Sequence, residues 1–252
     1  MIKFFRKIRQ NLLSENKFSK YLIYAFGEII LVVIGILIAL SINNQNENKK
    51  DKTKEKVYLE SLYQELKQDS IYLEKTNNTL ASIEKNGRYV ISIIENQKKI
   101  TSDTLKFLNA VRRMIASNQT LPEPIIWKEL QSSGNLRLIQ NRELIKALFA
   151  YYHKANACQQ DYKDNAHHFI LDARYFDSKL FSIEDQDDYF DNWKKDNIPS
   201  HKVLQTLLSD KEFYANAKGI VTGMIISRKV LSGLRKNLEI PLAILRNELN
   251  EK

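Results

Sequence analysis

Glycine and proline are scarce in this chain: 7 and 4 among 252 residues, where average usage would place roughly 18 and 13. Sandwiches, barrels and Gly-rich nucleotide folds spend both residues on turns, so the shortage argues against all of them. The single cysteine, Cys158, leaves no intramolecular disulfide and no CxxC metal or redox motif. G-x-S-x-G elbows, phosphate-binding loops and E-x-x-H pairs are missing too. The net charge of +9 is spread along the chain without a recognition motif, so nucleic acid is not an expected partner. No cofactor is expected.

One long hydrophobic run is present. Residues 21–42 read YLIYAFGEIILVVIGILIALSI, with Ile29–Leu40 unbroken apolar. As a helix the run reaches about 33 Å, enough for a hydrocarbon core of roughly 30 Å. Tyr21 and Tyr24 sit at the level of an aromatic belt, and Asn43-Asn44 closes the far end. A transmembrane helix over 21–42 is the expectation, with the lipid bilayer as first partner. Ala39-Leu40-Ser41 resembles a signal-peptide cleavage site, but a hydrophobic stretch beginning at Tyr21 is too long for one.

Residues 1–20 form a basic leader in which Ile2, Phe4, Phe5, Ile8, Leu12 and Leu13 interleave with Lys and Arg. That is the pattern of an amphipathic cytoplasmic segment, or simply of the positive flank of a signal anchor. Positive charges downstream (Lys49, Lys50, Lys52, Lys54, Lys56) nearly balance the leader's. The short leader still favours an N-terminus in the cytoplasm and a C-terminal region in the periplasm of an inner membrane.

The stretch MIKFFRKIRQNLLSENKFSKYLIYAFGEIILVVIGILIALSINNQNE, together with 130–141 (LQSSGNLRLIQN) and Tyr151-Tyr152, resembles an uncharacterised family of single-span proteins from Bacteroidota, especially flavobacteria. The resemblance implies a cell-membrane protein with a helical extracytoplasmic region. It implies no activity, since the family is a domain of unknown function. Gln45 stands where that family usually carries Trp.

Within the span, Gly27, Leu31, Gly35 and Ala39 fall on one helix stripe, with Glu28 at its border. Small residues let a second backbone approach, and a carboxylate costs roughly 2.5–3.5 kcal/mol at a membrane centre. One reading is a helix–helix interface, a homo-oligomer or partner contact, across which protonated Glu28 bonds. The other is that Glu28 reaches the headgroups.

After a charged linker or helix start (43–56), residues 57–252 read as one extracytoplasmic helical bundle. Leu59, Leu66, Leu73 and Leu80 are spaced by seven, joined by Leu62, Ile83, Val90 and Ile94, on a helix expected over about 54–97. Asp69 and Thr76 interrupt the seam, and Gly87 is a possible weak point. Thr101–Asp103 offer a cap for a helix with Leu105, Leu108, Val111 and Ile115 on its face. Ser117–Pro124 reads as a loop with Pro122 and Pro124 as stops, or Pro124 instead begins a short helix that Gly134 ends, and Asn141 caps a long one. That one carries Leu144, Leu148, Tyr151, Ala155, Cys158, Tyr162, Ala166, Phe169 and Ala173, with one stutter near Tyr162. Residues 178–199 read as an acidic, aromatic loop. The last helix carries Ala217, Ile220, Met224, Leu231, Leu234 and Leu238, with Pro241 kinking or restarting it. The fold class is therefore all-α: an N-terminal transmembrane helix followed by an elongated antiparallel bundle.

Site chemistry is thin. Asp164-His168-Asp172 has i,i+4 spacing, which surface pairing explains without a metal. Cys158 lies on an apolar stripe, as a buried structural thiol would. The carboxylates of 184–191 fail the EF-hand template, whereas Tyr189, Phe190 and Trp193 make a candidate partner patch. The expectation is a membrane-anchored interaction or scaffold module, without catalytic or metal residues. The alternative is a sensor-like ectodomain signalling through a partner, and an enzyme comes last.

Overall fold

The apolar run and the leucine seam share one uninterrupted helix, α1 (Phe18–Glu95, 78 residues). The computed structural model describes residues 18–96, 104–116, 121–180 and 201–250. After α1 come α2 (Thr104–Ile115), α3 (Ile125–Ser132), a 3-10 turn (Asn135–Leu138) and α4 (Arg142–Tyr162). A π-helical turn (Lys163–His167), α5 (His168–Leu180), α6 (His201–Ser209) and α7 (Lys211–Asn250) complete the order. Every regular element among the described residues is helical, and the fold class is all-α: a long apolar N-terminal helix, then a helical bundle.

The chain divides into two compact units, Met1–Val57 and Tyr58–Lys252. In the first, the large apolar side chains of α1 stand exposed on all sides, Ile23 at 74% and Leu31 at 72%. This helix is long and apolar enough to cross a membrane. Residues 43–56, read as a charged linker or helix start, are helical throughout. The reason is local: no Gly or Pro lies between Gly35 and Gly87, and Asn43 and Thr53 bond back into their own helix, to Glu47 and to the Lys49 carbonyl.

In the second unit the seam is the core. Leu59, Leu62, Leu66, Leu73, Leu80, Ile83 and Val90 are all buried, with Ile94 only partly so. They share that core with Leu144, Leu148 and Tyr151 of α4 and Phe213, Ile220 and Met224 of α7. Gly87 is no weak point. A Cβ there would sit 2.5 Å from Val221 Cγ2, so the glycine marks a close packing contact.

The stutter near Tyr162 is the π turn, which inserts an extra residue into the helix; Asn165 Nδ2 donates to the Asp161 carbonyl at 3.0 Å across it. Helix α7 approaches this turn through Gly223, where a Cβ would lie 2.4 Å from the Asn165 carbonyl oxygen. Asn141 caps α4, accepting from the Glu143 and Leu144 N–H groups at 2.9 and 3.0 Å. Gly134, at φ +71°, takes the left-handed conformation that separates α3 from the 3-10 turn. Helix α7 runs through Pro241 without restarting. Residues 101–103 lie outside the described residues, and α5 extends through Ser178 to Leu180, into the segment read as a loop.

Candidate functional site

Glu65 and Asp69 lie one turn apart on the core side of α1, opposite two consecutive tyrosines of α4. Tyr151 donates to Asp69 Oδ2 at 2.8 Å and Tyr152 donates to Glu65 Oε1 at 2.7 Å. Glu65 Oε2 accepts the Ile126 N–H at 2.7 Å. Helix α3 begins at Pro124 without a side-chain cap and has no acid in its first turn, so a carboxylate from α1 supplies the missing N-terminal acceptor. Trp127 stacks on Tyr152 (centroids 5.2 Å apart, planes at 17°) and meets Phe149 edge-on. Tyr58 donates to Glu129 Oε1 at 2.9 Å and accepts from Asn135 Nδ2 at the same distance, tying the Gly134 turn to α1.

The electrostatics are one-sided. Among the described residues no Lys, Arg or His pairs with Glu65 or Asp69; their donors are two hydroxyls and one amide. Burial pushes the Asp69 carboxyl up to about 6, against the Tyr151 hydrogen bond and helped by the nearby Glu65 charge. Burial, then the adjacent carboxylates, also pushes both tyrosine hydroxyls above their ordinary range, so they act as donors and not as acids. A cavity of about 350 Å³ opens beside the cluster, with Asp69, Trp127, Tyr151 and Tyr152 in its wall. Glu123 and Lys128, also in that wall, pair with each other. The arrangement offers a buried hydrogen-bond acceptor next to space.

A family profile matches residues 28–206. The chain belongs to DUF6090, a family of unknown function. The DUF6090 match begins at Glu28 within the apolar run and ends in α6, so it takes in the whole carboxylate–tyrosine cluster and its cavity, while α7 lies beyond it. No curated protein and no solved structure matches the chain.

Of the residues singled out from sequence, Glu28 and Ala39 are exposed on α1, and a Cβ added at Gly27 or Gly35 would meet nothing within 4 Å. Tyr189, Phe190, Trp193 and the carboxylates of 184–191 lie outside the described residues. Cys158 is buried; burial, then the Asp161 charge, pushes its thiol up to about 11. The Asp164-His168-Asp172 spacing spans the π turn, which breaks its α-helical register. Asp164 accepts from Gln160, and His168 stands exposed with its ring 3.9 Å from that of Phe169. Among the described residues no group of three metal-binding side chains forms.

Sequence reasoning missed the cluster itself. Asp69 registered only as a flaw in the heptad seam and Tyr151-Tyr152 only as part of a resemblance. A polar residue at a seam position, one turn from Glu65, was the available signal.

Proposed function

We propose that this is a membrane-anchored helical bundle that binds a protein or envelope partner, without catalytic activity or a cofactor. The carrying observation is the apolar part of α1, exposed on every side within the chain. Only lipid or another apolar helix removes such a surface from water. The basic leader supports an N-terminus in the cytoplasm, with the bundle in the periplasm of a Bacteroidota inner membrane. Gly27, Gly35 and Ala39, with Glu28 beside them, leave room for a second span and support a homo-oligomer or a membrane partner. Tyr189, Phe190 and Trp193 are the candidate contacts outside the membrane.

Cross-linking in native membranes, followed by mass spectrometry of what a tagged chain captures, tests this. A defined membrane or envelope partner is the expected result, and capture of the chain by itself would make the homo-oligomer the functional unit. Failure to capture either would overturn the interaction reading. Alkaline phosphatase fused after Lys252 checks the topology: activity confined to the cytoplasm reverses it.

A second reading, a sensor-like ectodomain, is favoured by the cavity beside Asp69, since a ligand held there would be enclosed by α1, α3 and α4.

A further inference from the structure

We propose that the cavity beside Asp69 binds a small organic ammonium ion, its cationic head on the Asp69 carboxylate and its carbon body along Leu73, Leu121 and Ala155. The inference rests on the sensor-like reading and gives that site a ligand class.

Charge is the first argument. Two carboxylates one turn apart, Asp69 buried and Glu65 half-buried, have only neutral donors among the described residues, and Glu65 commits both oxygens to protein groups. Asp69 is 8% exposed and receives one donor among the described residues, Tyr151 at Oδ2. Its remaining acceptor capacity lies in the cavity wall. A buried carboxylate without a cationic partner is costly, and a ligand that brings the cation removes the cost.

Space and lining narrow the class. About 350 Å³ lies at the small end of ligand cavities, which run roughly 300–1,000 Å³. Leucine, alanine and proline side chains and three buried aromatic rings supply surface for a hydrocarbon body. Other classes fit worse. An anion would meet Asp69 and Glu123, and Lys128, the one cation in the wall among the described residues, is already paired. A neutral ligand leaves the charge uncompensated. A metal ion would want three or more ligating side chains, and no such group forms among the described residues.

The test uses the full chain in maltoside micelles, with titration calorimetry and thermal unfolding. The probes are tetramethylammonium, choline and butylammonium, set against 3,3-dimethylbutan-1-ol (an uncharged carbon isostere of choline) and butyrate. At least one cation should bind saturably and raise Tm, with the alcohol weaker by about tenfold or more. Asp69→Asn should weaken the cation by a similar factor while leaving the ligand-free Tm no lower. Lys128→Gln should leave cation binding intact. Equal binding to wild type and Asp69→Asn would overturn the assignment. Binding of the alcohol or butyrate alone, lost when Ala155→Phe fills the cavity, sinks the cation but keeps the ligand-binding reading. Silence from all five probes sinks both.

Discussion

Two stretches of α1 use much the same residues to opposite ends. Residues 22–42 are apolar in every direction, and their Leu, Ile and Val side chains are exposed. Residues 59–90 are apolar along one stripe, and that stripe is buried to the last leucine. Leu and Ile are plentiful in both, so the amount of hydrophobicity does not decide what surrounds the helix. Its angular distribution does: an all-round apolar helix requires lipid or other helices, and a striped one requires a core on a single side.

The sharpest way to break the comparison is to give the first stretch a polar side. Val32→Arg with Ile36→Arg adds two charges near the middle of the run, each costing about 2.5–3.5 kcal/mol to insert. In membrane flotation the doubly substituted chain should leave the membrane fraction. Leu66→Ala is the reciprocal change. It should cost the bundle about 2–5 kcal/mol, read as a fall in Tm, without altering flotation. A doubly charged chain that still floats would remove this stretch as the anchor.

Glycines sharpen the contrast. At Gly223 a Cβ would sit 2.4 Å from the Asn165 carbonyl oxygen and 2.8 Å from Ala166 Cα, both backbone atoms that cannot swing aside. Gly223→Ala should therefore destabilise by about 1–3 kcal/mol, at roughly 2–4 °C of Tm per kcal/mol for a domain this size. Gly35→Ala meets nothing within 4 Å and should leave the Tm of the bundle unchanged. Equal losses at the two sites would mean that α7 does not pack on the π turn as described.

Burial also sets a pH response in the bundle. The Asp69 carboxyl is held at about 6, above its ordinary 3.8, so the folded state keeps this proton more tightly than the unfolded chain. The stabilisation from that proton is fully present below about pH 4 and is lost as pH rises through about 6. Around Asp69 the other charges are Glu65 on the same helix and the Glu123–Lys128 pair in the cavity wall, with Tyr151 and Tyr152 as neutral donors from α4. Asp69→Asn should raise stability at pH 7 by about 2 kcal/mol and flatten the profile between pH 4 and 6. Denaturant unfolding at a series of pH values checks it, and an unchanged slope in that window would place the titration elsewhere.

Local signals carried most of the fold to the reader. Heptad spacing marked the buried face of α1, Asn141 and Gly134 marked a helix start and a helix stop, and a single misplaced interval near Tyr162 marked the π turn. Failures came where the cause was distant in sequence. Gly87 looked like a flaw because its partner, Val221, lies on α7. The acceptor at the start of α3 is Glu65, 61 positions away from Ile126. The pairing of Asp69 with Tyr151 joins residues 82 positions apart, and no periodicity in either helix announces it. Gly219 and Gly223, four apart on α7, were a readable sign of close helix approach that went unused.

The smallest expected effect separates two Asn–Glu pairs, one in each unit. Asn43 donates to Glu47 at 3.2 Å in full exposure, within one turn of helix. Asn141 donates to Glu248 of α7 from a partly buried position while its Oδ1 holds two N–H groups of α4. Asn141→Ala removes a cap and strands a carboxylate whose Oε2 is already buried without a partner among the described residues. It should cost about 1–2 kcal/mol. Asn141→Asp keeps the cap but sets a second carboxylate against Glu248, so its penalty should shrink as the pH is lowered and one of the pair takes a proton. Asn43→Ala exchanges one water-accessible hydrogen bond for another and should change Tm by less than the error of measurement. If Asn43→Ala were the costlier of the two, burial would not be what gives such a bond its worth in this chain.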